Sequence, residues 1–327
     1  QSFECYGFRY AWVMVLSGEI TLNSLMVREY VAPDVQNITI DCSDAEINAI
    51  FQAAKETYRQ NTLDVFMDCP TRERAAWLCD SYFAAESAML FSGSAQRERV
   101  FLENYALAKD FPHIPKGMIP VCYPADHNNG YFIPQWSMWY LIQLEQYKLR
   151  SHDNNMERFR KLCYDLLTYL KQFENEYGLL EKIDGCNFIE WSDANLYIDD
   201  VSYPTNMLYF KSLEAVGNLF MDDALISKAQ KLKTTIVEQS FDGSFFIDNA
   251  IRDPHGNLVR TSNRSEVCQY YAFFFDIATC DSPIFRGLFD TILNLFGPER
   301  KEKNILPEIS HTDAFVGNCL RMALLAR

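Results

Sequence analysis

The sequence predicts a mainly α fold, and within that class an all-α toroid rather than an α/β layer structure. Three observations carry the prediction. From Ser43 onward, stretch after stretch repeats apolar residues at helical spacing. No strand-like alternation separates these stretches. Caps and Pro or Gly breakers fall between them.

Residues 1–42 read differently. Phe3 to Val15 and Ile20 to Val31 are rich in Tyr, Phe, Val and Thr, alternate partly with period two and flank a Ser17-Gly18 turn. They read as strands. So few strands form no stable sheet alone, so they are expected to pair with further strands upstream. The helical stretches then follow in order: Asp44 to Asn61, Arg72 to Ser92, Ala95 to Lys109, Ile133 to Arg150 and Asn154 to Glu176. Thr205 to Phe220, Asp223 to Gln239, Ser265 to Ala278, Pro283 to Phe296 and Thr312 to Leu325 complete the set. Ser43 and Asp44 cap the first, Pro204 opens the sixth, and Gly297-Pro298 follows the ninth.

The most informative segment is Asp68-Cys69-Pro70-Thr71-Arg72-Glu73-Arg74-Ala75-Ala76-Trp77-Leu78-Cys79-Asp80. Pro70 and Thr71 are helix-start signals, so a helix is expected from Arg72 through about Gly93. Glu73, Trp77 and Asp80 then share one stripe at i, i+4 and i+7, with Asp68 in the loop before it. Acids converging beside an aromatic platform suit hydrolysis of a sugar bond. A solvated helix face is the bland alternative, but such a face rarely carries a Trp.

This segment closely resembles the signature of bacterial α-L-rhamnosidases, roughly Asp-Cys-Pro-Gln-Arg-Glu-Arg-Leu-Gly-Trp-Thr-Gly-Asp. Thr71, Ala76 and Leu78-Cys79 depart from it and add bulk. The resemblance implies an (α/α)6 six-hairpin toroid in residues 43–327, preceded in 1–42 by the closing strands of a β-sandwich. It implies an inverting glycoside hydrolase that removes terminal α-L-rhamnose from glycans or glycosides. Glu73 takes the role of general acid, with Asp68 and Asp80 ionised beside it, raising its pKa and steadying the oxocarbenium-like transition state. Arg72 clamps a sugar hydroxyl or orients Asp80, its neighbour position turning it about 100° away from Glu73. Ten helices fall short of the twelve or so of a closed ring. Asp313 to Leu320 resembles the helix before the family's general base, so the base and the last helices are expected beyond Arg327, and the fragment by itself is then expected to be inactive for lack of that base.

Two further segments extend the candidate site. Glu190-Trp191-Ser192-Asp193 lies in a polar, aromatic loop. A comparable family loop carries an Asp-Trp pair that closes over the sugar, which marks Glu190, Trp191 and Asp193 as substrate-binding candidates. Asp126 to Gly130 leads into Gln135-Trp136, and Trp136 at a helix mouth is expected to be a second aromatic wall. Glu266 reads as a helix-dipole or cap residue, and Pro307 to His311 as a weak place for a base.

Composition sets the outer limits. A chain of 327 residues with 48% hydrophobic and 14% aromatic content holds one large domain, or a large one with a small partner. A net charge of −14 argues against nucleic acid and anionic membranes as partners. No apolar run is long enough to span a bilayer. The ten cysteines show no C-x-x-C pair and read mostly as buried thiols. The five histidines lack metal-ligand spacing, so neither metal nor cofactor is expected. The start at Gln1 without a leader reads as a mature or excised piece, and a periplasmic or secreted location is preferred to a cytoplasmic one. Another six-hairpin glycosidase, or a decayed glycan-binding relative, is the alternative.

Overall fold

In a computed structural model the chain is described at residues 6–35, 38–108, 110–125 and 129–327. It contains ten α-helices among those residues. They are α1 (Ala45–Asn61), α2 (Leu78–Ser92), α3 (Gln96–Leu107), α4 (Pro134–Ser151) and α5 (Arg160–Lys171). The second half holds α6 (Tyr203–Phe220), α7 (Asp223–Ser240), α8 (Glu266–Phe274), α9 (Arg286–Asn294) and α10 (Phe315–Leu325). Each corresponds to one of the ten expected stretches, and the ends differ by local chemistry. Asp44 caps α1 by accepting from Glu46 and Ile47 N–H, and Ser202, not Pro204, caps α6 through Thr205 N–H.

The chain divides into two compact units, residues 1–104 with 122–125, and 105–121 with 126–327. In the first, α1 packs on α2 through Phe51 and Tyr58 against Phe91, at ring separations of 5.7 and 5.4 Å. The strands expected before α1 are not formed. Residues 1–5 lie outside the described residues, and those described within 6–42 carry no strand. Most of their apolar side chains, including Tyr10, Trp12, Leu16 and Met26, are exposed. A strand exists only through the ladder it makes with a neighbour, and among the described residues none pairs with this segment.

In the second unit α4 and α6 are buried almost all round, as helices apolar on every face must be, and pack on each other. α7 and α8 pack on α6, and α10 on α8. Trp139, Tyr140, Leu208, Tyr271 and Leu320 are fully buried in this core. One correction concerns strands. A small antiparallel sheet, β1 (Val201–Ser202), β2 (Asn249–Arg252) and β3 (Leu258–Arg260), interrupts the helices in the order β1-β2-β3. Its hairpin turn is closed by Asp253, whose carboxylate accepts from His255 and Asn257 N–H. Arg252 fastens the hairpin to Glu176 and Glu181 at 2.7–2.8 Å.

Candidate active site

The acidic segment belongs to the first unit, and its backbone is not the expected helix. Residues 70–77 form a loop, and α2 begins six residues later than Arg72, with Trp77 at its N-cap. The reason lies in the loop's hydrogen bonds. Asp68 N–H donates to Ala75 O at 3.2 Å, and Asp68 Oδ1 accepts Ala75 N–H at 2.9 Å, closing the 68–75 turn. Arg74 sits in the left-handed region at φ 49°. Trp77 bridges to Cys122 in an antiparallel pair, so helical bonding starts only with Ser81 N–H on Trp77 O. With these backbone groups engaged, Pro70 and Thr71 start nothing.

Glu73, Trp77 and Asp80 therefore share no helical stripe, yet the fold gathers them. Trp77 Nε1 donates to Glu73 Oε2 at 3.1 Å. Arg72 pairs with Glu73 Oε1, a contact that neighbours in a helix need not make. The Asp80 carboxyl lies within electrostatic reach of both Asp68 and Glu73. Loss of hydration pushes Asp80 up to about 7, and the negative charges of Asp68 and Glu73 add to the rise. Part of the Asp80 side chain still reaches solvent, but the protein mass around its carboxyl dominates. Asp80 thus holds its proton to higher pH than an ordinary carboxyl, whereas the sequence reading has it ionised.

The remaining candidates form a second cluster, in the second unit. Gln135 at the start of α4 fastens the 185–197 loop, donating to Asn187 Oδ1 at 3.0 Å and accepting Phe188 N–H at 3.2 Å. Gly185 turns into the loop at φ 97°, where a Cβ would lie 2.5 Å from the Phe132 ring. Trp191 projects from this loop with 57% of its surface exposed. Trp136, 1% exposed, stands edge-on to Trp191 at 6.1 Å and to Phe188 at 5.2 Å. The expected second wall is therefore a buried prop, because its helix is enclosed on every side.

Glu190 is likewise fully buried. Its Oε2 accepts Gly317 N–H of α10 at 2.9 Å, while Oε1 has no hydrogen-bond partner. Burial raises its pKa, while the Gly317 N–H and the nearby Ser192 and Thr312 hydroxyls act against that rise. A Cβ on residue 317 would collide with Thr312 and crowd the Glu190 carboxylate, so this approach needs glycine. Glu190 does not face solvent, as a sugar ligand would have to, because its carboxylate is committed to a backbone N–H inside the fold. Asp193 opens a short 3-10 turn, Asp193–Leu196, capped by Ser192.

A cavity of about 380 Å³ opens beside Trp191, Ser192 and Asp193, and its far side is built by residues 300–313, including Arg300, Lys301, Ser310, His311 and Asp313. Arg300 is not among the residues the sequence singles out, since it stands among the charged neighbours Glu299, Lys301, Glu302 and Lys303 with no motif around it. Glu266, expected at a helix start, does open α8 but is buried against Arg300. Asp126, His127 and Asn128 lie outside the described residues. Among the described residues, no group of three His, Cys, Asp or Glu side chains could hold a metal, and no helix is long and apolar enough to cross a membrane.

Comparison with known proteins gives concordant results. Residues 35–239 match the family model described as the bacterial alpha-L-rhamnosidase 6 hairpin glycosidase domain. An alpha-L-rhamnosidase of Formosa agariphila is 22% identical over 192 residues, covering 55% of this chain and 20% of the relative. The chain thus spans about a fifth of that protein's length. Among solved structures, a GH78 family rhamnosidase of Bacillus sp. GL1 superposes with a TM-score of 0.72 at 20% identity, covering 90% of this chain and 29% of that one. A Klebsiella oxytoca rhamnosidase with rhamnose bound gives 0.63 at 18% identity, covering 90% and 53%. At such identities the structural likeness speaks to the fold.

Proposed function

This chain belongs to the bacterial α-L-rhamnosidase six-hairpin glycosidase family, and we propose that it carries the acid side of an inverting hydrolase that releases terminal α-L-rhamnose. The observation that supports this best is the gathering of Asp68, Glu73 and Asp80 at the start of α2, with Asp80 pushed up to about 7. A site that must both hold a proton and stabilise positive charge needs carboxyls whose proton affinities are driven apart.

In this reading Glu73 donates its proton to the departing glycosidic oxygen. Trp77 Nε1 fixes one of its oxygens. Arg72, whose side chain is 82% exposed, leaves the other when a sugar enters, since a pair so open to water contributes about 0–1 kcal/mol. Asp80 stores the proton that the site needs near neutrality. Asp68, oriented by Ala75 N–H, faces the developing oxocarbenium charge. A separate carboxylate activates water from the opposite face, about 6.5–9.5 Å from the acid. Within the second unit, Trp191 carries an exposed indole face and Asp193 a carboxylate beside the cavity, groups of the kind that pack on a sugar's C–H side and accept from its hydroxyls. Trp136 and Glu190 support that loop from within.

In the complete protein, Glu73→Gln is expected to lower turnover of an aryl α-L-rhamnoside by about 10²–10⁴-fold. Undiminished turnover would refute the assignment. A panel of aryl glycosides tests the glycone: preference for a sugar other than α-L-rhamnose would move the chain to another six-hairpin specificity.

A further inference from the structure

Arg300 and Glu266 form an ion pair with 3% and 0% side-chain exposure. Pairs such as Arg264–Asp242 and Arg252–Glu181 in the same unit keep both partners partly in water. Burying both charges is a poor route to stability, since desolvation offsets most of the attraction. What the pair does supply is geometry. Arg300 Nη1 donates to the carbonyls of Ile305 at 2.9 Å and Leu306 at 2.7 Å, and Nη2 to that of Ile309 at 2.7 Å. Its Nε goes to Glu266 Oε1. One planar fork thus gathers three carbonyls of a single turn. Asn304 and Leu306 in that turn sit at φ 50° and 49°, a conformation that needs outside support in residues with a Cβ.

The other Glu266 oxygen accepts Thr312 N–H at 3.2 Å, and Glu266 N–H donates to Ser310 O at 3.0 Å. Ser310 in turn meets Tyr197 OH at 2.8 Å, at the end of the loop that bears Trp191. Phe315 lies edge-on to Trp191 at 6.5 Å. The buried pair is therefore linked through Ser310 and Tyr197 to the turn that follows Trp191, where Tyr197 N–H donates to Ala194 O at 3.1 Å and Asn195 N–H to Ser192 O at 3.2 Å.

We propose that the Glu266–Arg300 pair is a positioning device: it holds the 300–311 wall of the cavity and, through Ser310 and Tyr197, sets the indole face of Trp191. Only the ligand arm of the test rests on the rhamnose reading given above. The whole chain is labelled with fluorotryptophan, and the Trp191 resonance is assigned with Trp191→Phe. Arg300→Lys keeps the charge and removes the fork, so the Trp191 line is expected to shift or broaden without ligand. L-Rhamnose affinity is expected to fall about tenfold, because small misplacements of a positioned group are costly.

An unmoved Trp191 line in folded Arg300→Lys overturns the proposal. If that variant does not fold, the paired Glu266→Gln, Arg300→Met variant, which buries no unpaired charge, is read by the same criterion. Failure of both to fold would make the pair a requirement of the core and overturn the positioning role. A moved line in a protein that never binds L-rhamnose supports the positioning role and counts against the rhamnose reading instead.

Discussion

Asp80 and Glu190 show how the same residue type takes its role from its surroundings. Both are carboxyls whose pKa is raised first by burial. Asp80 shares its neighbourhood with two other acids, whereas Glu190 meets a backbone N–H of α10. Asp80→Asn should remove a group that titrates near 7, so the pH dependence of activity should lose its limb there, measured as kcat/KM against pH. Retention of that limb would mean that Asp80 does not carry it. Glu190→Gln keeps an acceptor for Gly317 N–H and should leave the melting temperature unchanged or higher. Glu190→Ala abandons that buried donor and should cost about 1–3 kcal/mol in urea unfolding.

At the scale of the element, helix interiors were legible and helix starts were not always so. α1 starts where Asp44 announces it, because the cap is a contact between near neighbours. Asp44→Ala should lower stability by about 1 kcal/mol, read from the denaturation midpoint at constant slope. α2 starts late because Asp68 captures Ala75 from seven residues away and Trp77 pairs with Cys122, a residue 45 positions on. No local pattern carries that information. The β2–β3 hairpin was missed for a similar reason. Its strands are four and three residues long, too short for a period of two to register, although Asp253-Pro254-His255-Gly256 is a usable turn signal.

At the scale of the whole molecule the raised carboxyls act together on stability. Asp80 and Asp248 are both pushed up to about 7 mainly by burial, and Glu190 is raised for the same reason. Between about pH 4 and pH 7 the folded chain keeps protons on these groups that the unfolded chain has lost. Stability therefore falls as pH rises through that window. Glu56, held down to about 2 by Arg59, and Glu181, lowered by Arg252, act in the opposite sense and lose their contribution as pH drops below about 4. The melting temperature should be higher near pH 5 than at pH 7.5, and Asp248→Asn should flatten the difference. A melting temperature that rises steadily from pH 5 to 7.5 would contradict this balance.

Periodicity and composition fixed the helical class and the ten helices, because apolar spacing along a chain reports directly on which face will be buried. The order Asp-Cys-Pro to Asp80 was enough to mark the acids, since their identities are local facts. Which of them would hold a proton, which Trp would stay in solvent and which arginine would be interred were decided by tertiary structure alone. Proton affinity and exposure depend on neighbours brought from distant parts of the chain, and the residues beside Trp136 placed it at a helix start without revealing that its helix is enclosed on every side.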